Sequence, residues 1–260
     1  MSIARHLIVN ADDFGFTVDV NAGIVEAHRN GVVTATTLMA NGDAYDDAAR
    51  LARETPSLDV GCHLVLLQGR SLISGDPLLE KFPELIKALI TRRIDPYLEL
   101  RPQVEKLLAC GIHPTHFDTH KHTHVLPPVF SAVVRLAHEF DVPFIRLPFD
   151  TGWLPVQGMD RCYRRRLRKA GLRSTDHFAG FRLTDSLSEG SFTKALKTLR
   201  PGSTEFMCHP GYLGTELRKA ATRLKESRQR ELEALTSPAV KRLLAEAGIR
   251  LTTYRELRDA

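Results

Sequence analysis

Cysteine is scarce in this sequence, and its few cysteines are isolated. Cys62, Cys110, Cys162 and Cys208 lie far apart and form no CxxC pair. Zinc fingers and disulfide scaffolds need closely spaced cysteines, so both classes are excluded. We expect reduced thiols in the core of a cytoplasmic protein.

Long apolar runs and nucleotide-binding loops are also missing. No apolar run approaches the ~18–20 residues that a transmembrane helix needs. Asp12 and Asp13 interrupt the N-terminal segment in which the apolar region of a secretory signal would continue. The chain contains no G-x-G-x-x-G or Walker A loop and no internal repeat. These absences argue against membrane-spanning, secreted and nucleotide-binding proteins.

The net charge of +5 does not indicate a nucleic-acid-binding protein. Much of the positive excess comes from one segment, residues 161–173, which has seven arginines and lysines and a single aromatic residue, Tyr163. Nucleic-acid sites interleave cations with aromatic side chains or belong to a known motif. We expect a solvated helix face, and contact with an anionic ligand or a membrane surface is the alternative.

The sequence does show strands alternating with helices from end to end. With 260 residues, of which 43% are apolar and 26% charged, the composition is that of a globular protein. The alternation predicts an α/β fold with parallel strands, and seven or eight strands without a linker favour a single-domain (β/α) barrel over residues 1–260. The predicted strand segments are 6–10, 32–40, 57–67, 115–118, 142–148, 176–181, 204–212 and 249–254.

Polar residues cluster where these strands end. In a (β/α) barrel, the carboxyl ends of the strands form the active site. Four of five such ends carry Asp or His, and they read VNADDFG, VGCHLVL, THFDTHKHTH and FMCHPGY; the fifth is FIRLP. This clustering predicts a functional site at one end of the barrel.

Five of the eleven histidines lie within residues 113–124. Residues at i and i+2 of an extended chain share a face, so Asp118 and His120 are expected to point into the same cavity. His122 and His124 continue that row if the segment stays extended. The pattern indicates a metal held by histidine and carboxylate ligands, and a metal-scavenging surface loop is the alternative.

Asp12 and Asp13 end the first strand as adjacent carboxylates. Two such groups in a pocket repel each other unless a positive charge lies between them. A divalent cation resolves this, because one carboxylate can bind it while the other acts as a base. A solvated turn is the alternative for this pair.

Three further side chains belong to the predicted site. His63 and His209 each follow a cysteine in a strand, so the pleat directs each histidine and its neighbouring cysteine to opposite faces. If the histidines face the barrel mouth, Cys62 and Cys208 pack in the core. Arg146 lies among apolar residues at another strand end, where it would hold a carboxylate, contact substrate or extend to solvent.

Four ordered motifs resemble those of the YdjC-like (ChbG) carbohydrate deacetylase family. They are N-A-D-D-F-G at Asn10–Gly15, G-x-H at Gly61–His63, the histidine-rich segment His116–His124, and C-H-P at Cys208–Pro210. The resemblance extends from about His6 to Tyr212. The family includes a branch linked to hopanoid biosynthesis, and these motifs do not separate that branch from the others.

The resemblance implies a distorted (β/α) TIM-like barrel and metal-dependent removal of an N-acetyl group from an acetylated amino sugar. By correspondence, Asp13, His63 and His120 are the metal ligands, Asp12 is the catalytic base, and His209 is the general acid. Arg146 remains a candidate substrate-binding residue. One divalent ion is expected, Mg²⁺ or Zn²⁺ or another transition metal, and a homodimer is a further expectation from the family.

The sequence is also compatible with two alternatives. One is hydrolysis of another amide or of a phosphoester at the same metal site. The other is a non-catalytic sugar-binding protein that retains the metal, although binding alone would not require the spare carboxylate of Asp12.

Overall fold

The fold is built around one parallel sheet. A computed structural model describes residues 4–149 and 154–259. The strands in these ranges are β1 (Arg5–Phe14), β2 (Ala35–Leu38), β3 (Asp59–Leu64), β4 (His116–Thr119), β5 (Phe144–Ile145), β6 (His177–Ala179), β7 (Gly202–Cys208) and β8 (Ile249–Leu251). Each of the eight predicted strand segments overlaps one of them.

The strands follow the order β5-β4-β3-β2-β1-β7-β6, and β8 pairs with the first half of β1. Every pairing in the sheet is parallel. Within the described residues, β5 and β6 form the two ends of this order, so the curled sheet does not close fully. The predicted α/β fold and distorted barrel are confirmed.

Helices cover the outside of the sheet. They are α1 (Val18–Arg29), α2 (Tyr45–Glu54), α3 (Phe82–Ile90), α4 (Pro96–Ala109), α5 (Pro127–Glu139), α6 (Leu154–Lys169), α7 (Glu189–Lys197), α8 (Thr215–Lys219), α9 (Glu226–Thr236), α10 (Pro238–Glu246) and α11 (Tyr254–Asp259). Two 3₁₀ segments, His120–Val125 and Phe181–Leu183, follow β4 and β6. None of the helices within the described ranges is both long and apolar enough to cross a membrane.

Burial on both faces explains the composition of the central strands. β1 is buried from Leu7 to Phe14, as expected for a parallel strand covered on both sides. Cys62 and Cys208 pack into the main core, as predicted. Cys162, in contrast, is exposed and Cys110 is half-buried, so the prediction of core thiols does not hold for them.

Most of the basic segment, residues 161–169, lies in helix α6, as predicted. Tyr163 and Leu167 face the core, and the Tyr163 ring stacks on Phe130 at a centroid distance of 4.0 Å. Arg165 and Arg168 are exposed. The helix therefore buries an apolar stripe and directs part of its positive charge to solvent.

Candidate active site

Asp12 and Asp13 reach the same pocket because β1 is irregular at its end. The register between β1 and β2 shifts between Ala11 and Phe14, and Asp13 has a φ of 69°. A bulge of this kind redirects a side chain that the regular pleat would send to the opposite face. Both carboxylates are buried, and both line the pocket.

Asp13, His63 and His120 converge, as the sequence predicted. Asp13 Oδ1 lies 3.4 Å from His63 Nε2 and 3.2 Å from His120 Nδ1. The two histidine nitrogens are 3.3 Å apart. One carboxylate oxygen and two imidazole nitrogens thus face a common point, which is a set of donors suited to a divalent cation.

Asp118, which does not line the pocket, orients the His63 ring. His63 Nδ1 lies 2.7 Å from Asp118 Oδ1, so the other ring nitrogen, Nε2, faces Asp13. A carboxylate on the distal nitrogen is the usual support of a metal-binding histidine. Burial opposes a charge on His63, but Asp118, Asp13 and Asp12 outweigh it and raise the pKa of His63 to about 10.

Asp12 is held by Arg146 in a two-bonded ion pair. Nη1 and Nη2 of Arg146 donate to the two carboxylate oxygens of Asp12 at 2.7 Å, and Asn10 donates to Oδ1 at 2.8 Å. Burial alone would raise the pKa of Asp12, but Arg146 outweighs it and holds this pKa well below its ordinary value. Asp12 is therefore ionised and fixed in orientation.

The prediction that Arg146 binds substrate does not fit its position. Its side chain is fully buried, and its guanidinium also contacts Asp118 at 2.6 Å and Glu205 at 2.6 Å. With three carboxylates around it, Arg146 lies beneath the site and outside the pocket lining. The position of Arg146 fits another of its predicted roles, which is to hold a carboxylate in place.

His209 follows β7 and lines the pocket. Its backbone N–H donates to Glu231 Oε2 at 2.5 Å, whereas its Nδ1 is buried without a hydrogen-bond partner among the described residues. Burial lowers the pKa of His209 to about 4 against the opposing effect of Asp13 and Asp12. The ring is consequently neutral near pH 7.

Helix α9 supplies two site residues that sequence reasoning missed. Arg228 is buried and donates through Nη2 to Asp13 Oδ2 at 2.5 Å. Glu231, one turn further on, receives the backbone N–H of His209. The only sequence signal was a pair of charges, at i and i+3, on the otherwise apolar face of a helix.

The remaining histidines of the 113–124 segment have different environments. His116 is buried, with Nε2 3.0 Å from Asn10 Oδ1. His124 is also buried and contacts Thr119 Oγ1 and the backbone oxygen of Arg146. His122 lines the pocket. The segment does not stay extended, as a continuous row of histidines would require, because Lys121 and His122 have φ values of 55° and 53° and turn the chain into a 3₁₀ segment.

A cavity of about 390 Å³ lies at the carboxyl ends of the strands, and the site residues that line it are Asp12, Asp13, His63, His120, His122, His209 and Arg228. The chain from residue 6 to residue 246 matches the family described as YdjC-like protein. The chain belongs to the YdjC-like family. This membership agrees with the resemblance drawn from the four sequence motifs.

Curated relatives of this YdjC-like protein match it over nearly its whole length. A protein of Geobacillus stearothermophilus named carbohydrate deacetylase is 40% identical over 257 residues, covering 97% of this chain and 98% of the relative. One of Salmonella typhimurium named chitooligosaccharide deacetylase is 36% identical and covers 97% and 99% of the two chains.

A solved structure supports the fold of this YdjC-like protein. A crystal structure from Enterococcus faecalis superposes with a TM-score of 0.82 at 26% identity, covering 98% of this chain and 99% of that chain. The fold is therefore shared with an experimentally determined structure.

Proposed function

We propose that this protein is a metal-dependent hydrolase that removes the N-acetyl group from an acetylated amino sugar and releases acetate. The convergence of Asp13, His63 and His120 beside the Arg146-bound Asp12 carries this proposal. The relatives are named carbohydrate deacetylase and chitooligosaccharide deacetylase, and these names indicate that the bond is that of an acetyl group and the substrate a carbohydrate. An oligosaccharide or a glycolipid-linked sugar would present the same acetamido group.

The residues present fit one divalent cation. Asp13, His63 and His120 would hold it, and Asp118 orients the His63 ring so that Nε2 faces the ion's position. Five buried carboxyl groups lie near the two buried guanidinium groups of Arg146 and Arg228, and the surplus favours a cation; the carboxyl groups are those of Asp12, Asp13, Asp118, Glu205 and Glu231. When bound, the ion polarises the acetyl carbonyl and makes water more acidic.

Asp12 would act as the general base. Its fixed carboxylate accepts a proton from the attacking water while the water oxygen bonds to the acetyl carbon. The ion pair with Arg146 keeps Asp12 a weak base, so it holds this proton only transiently. Fixed orientation, rather than high basicity, is what the site provides.

His209 would serve the leaving nitrogen. In the free enzyme the ring is neutral, so His209 must accept a proton before it can donate one. As the carbon–nitrogen bond breaks, the proton that Asp12 took from water would pass to the His209 ring, and the imidazolium so formed would donate it to the departing amine nitrogen. The products are acetate and the free amino sugar.

Hydrolysis of a phosphoester by two metals is less compatible with the site. A second group of donors in the described residues is Asp12, His63 and Asp118. Asp12 and Asp118 of this group already bind Arg146, and His63 belongs to the first group. The arrangement thus offers one cation site, whereas typical two-metal chemistry needs two ions ~3.5–4 Å apart.

The decisive experiment measures free acetate from acetylated sugars. The protein is supplied in parallel with Mg²⁺, Zn²⁺, Mn²⁺, Co²⁺ or Ni²⁺ and offered N-acetylglucosamine, chitooligosaccharides and acetylated glycolipids. We expect Asp12→Asn to retain bound metal and lose at least ~100-fold in turnover. His63→Ala should lose both metal and turnover.

Exposed residues of the same type provide matched controls. Asp43→Asn and His113→Ala, both outside the pocket, should leave turnover unchanged. Full turnover in Asp12→Asn would reject the base assignment. Ligand binding without acetate release at any metal loading would favour the non-catalytic alternative.

A further inference from the structure

Phe181 is a large apolar side chain left open at the active-site pocket. It is 51% exposed and lines the same cavity as Asp12, Asp13 and His209. Burying a large aromatic side chain gives a large favourable free energy. A ligand that covers the exposed ring of Phe181 would therefore gain binding energy.

The position of Phe181 is fixed by its backbone. It opens the 3₁₀ segment after β6, directly following Gly180. Gly180 has a φ of 100°, and a Cβ atom there would lie 2.2 Å from the backbone oxygen of Met207 on β7. Only glycine permits this approach, and it anchors the ring over the carboxyl ends of the strands.

His122 lies against Phe181 and is held in an unfavourable backbone conformation. The ring centroids are 5.3 Å apart at an interplanar angle of 61°. Both Lys121 and His122 adopt positive φ values, which are unfavourable for residues other than glycine and tend to occur at functional sites. This backbone directs His122 towards the pocket.

The hydrogen bonding of His122 leaves one nitrogen for a ligand. Its Nδ1 is buried and has no partner in the described part of the chain. A buried N–H without an acceptor is rarer than an unused acceptor, so the favoured tautomer places the proton on Nε2. His122 then presents an N–H donor beside the open face of Phe181.

We propose that Phe181 and His122 form a subsite for a pyranose ring of the substrate, adjacent to the sugar that carries the reacting acetamide. A pyranose has an apolar face of C–H groups, which stacks on an aromatic ring, and a rim of hydroxyl oxygens, which accept from an imidazole N–H. The identity of the ligand as an acetylated amino sugar rests on the proposed function. The subsite makes the enzyme prefer an oligosaccharide to a monosaccharide.

Binding is measured separately from turnover. In the Asp12→Asn background, which keeps substrate intact, calorimetry with N,N′-diacetylchitobiose should show that Phe181→Ala weakens the affinity by about tenfold or more, whereas Phe181→Trp retains it. His122→Ala should weaken it by a similar factor. In the otherwise unchanged enzyme, Phe181→Ala should raise KM for the disaccharide and leave kcat within about twofold.

The controls separate this subsite from the deacetylation itself. Tyr212→Ala removes another exposed aromatic ring, outside the pocket, and should change neither affinity nor KM. If Phe181→Ala binds the disaccharide as tightly as its parent, the subsite is rejected even where acetate is released. If the unaltered enzyme releases no acetate yet binds the disaccharide through Phe181, the proposed function fails and the subsite stands.

Discussion

Asp12 and Asp13 are neighbours in the chain, but each forms an ion pair with a different arginine. Asp12 binds Arg146 with both oxygens, which leaves it no oxygen free for full coordination of a metal. Asp13 gives one oxygen, Oδ2, to Arg228 and keeps Oδ1 beside His63 and His120. These contacts support the proposed division of roles, in which Asp13 is the ligand and Asp12 the base.

Asp118 supports the site without touching the pocket, and its substitution should reveal this. Asp118→Asn removes the negative charge from His63 Nδ1 and makes the imidazole a poorer ligand. We expect metal affinity to fall by about 10–100-fold, the usual effect of losing such a supporting carboxylate. Metal titration followed by calorimetry measures the change.

The exposed Asp43→Asn provides the matched control and should bind metal as the unaltered protein does. An Asp118→Asn variant with unchanged metal affinity and a normal thermal transition would show that His63 needs no carboxylate support. Since Arg146 also contacts Asp118, a lowered thermal transition is expected in addition.

At the level of elements, the strands were predictable and the loop geometry was not. Buried parallel strands correspond to short apolar runs bounded by turn residues, and these runs can be located in the sequence. Alternating histidines suggested an extended segment at 120–124, but Thr119 and the Arg146 backbone bind His124 and favour the turn. The bulge at Asp13 and the contact of Arg228 with Asp13 also depend on tertiary contacts.

The G-x-H motif has a packing reason as well as a chemical one. A Cβ atom on Gly61 would lie 2.5 Å from Cε1 of His116 and 2.6 Å from its backbone oxygen. His116 cannot yield freely, because its ring contacts Asn10 and stacks on Tyr254 at 3.8 Å. Gly61 thus lets β3 and β4 pair while His116 occupies the space between them.

We therefore expect Gly61→Ala to destabilise the protein by about 1–3 kcal/mol through overpacking. Urea unfolding measures the change. Gly190→Ala, on α7, meets nothing within 4 Å and should be neutral or slightly stabilising, because alanine favours a helix. Equal stability of the two variants would contradict the packing explanation of the motif.

For the whole molecule, the active site and the fold share the same charged groups. β8, near the end of the chain, pairs with β1. Helix α9 contributes Arg228, which contacts Asp13 in β1, and Glu231, which contacts His209 after β7. The site therefore forms only when distant parts of the chain are assembled. Its buried charges enter the free energy of unfolding directly.

Glu231 makes this link measurable as a pH dependence. Burial is the largest influence and raises the pKa of Glu231 to about 7, against the lowering effects of the His209 N–H and Arg228. Below the ordinary pKa of 4.5, both folded and unfolded chains hold the proton, and the group costs nothing. As the pH rises from 4.5 to 7, the unfolded chain releases the proton first, so this group progressively destabilises the fold.

Glu231→Gln keeps an amide oxygen as acceptor for the His209 N–H and removes the titration. The free energy of unfolding of the unaltered protein, relative to that of the variant, should fall by about 3 kcal/mol between pH 4.5 and pH 7.5. Above pH 7.5 the difference should stay constant, since both states are then ionised. Urea unfolding at a series of pH values gives the curve, and Glu233→Gln, exposed on the same helix, is the matched control. A difference that is flat with pH would mean that Glu231 is already ionised in the folded protein, stabilised by Arg228 more strongly than burial opposes it.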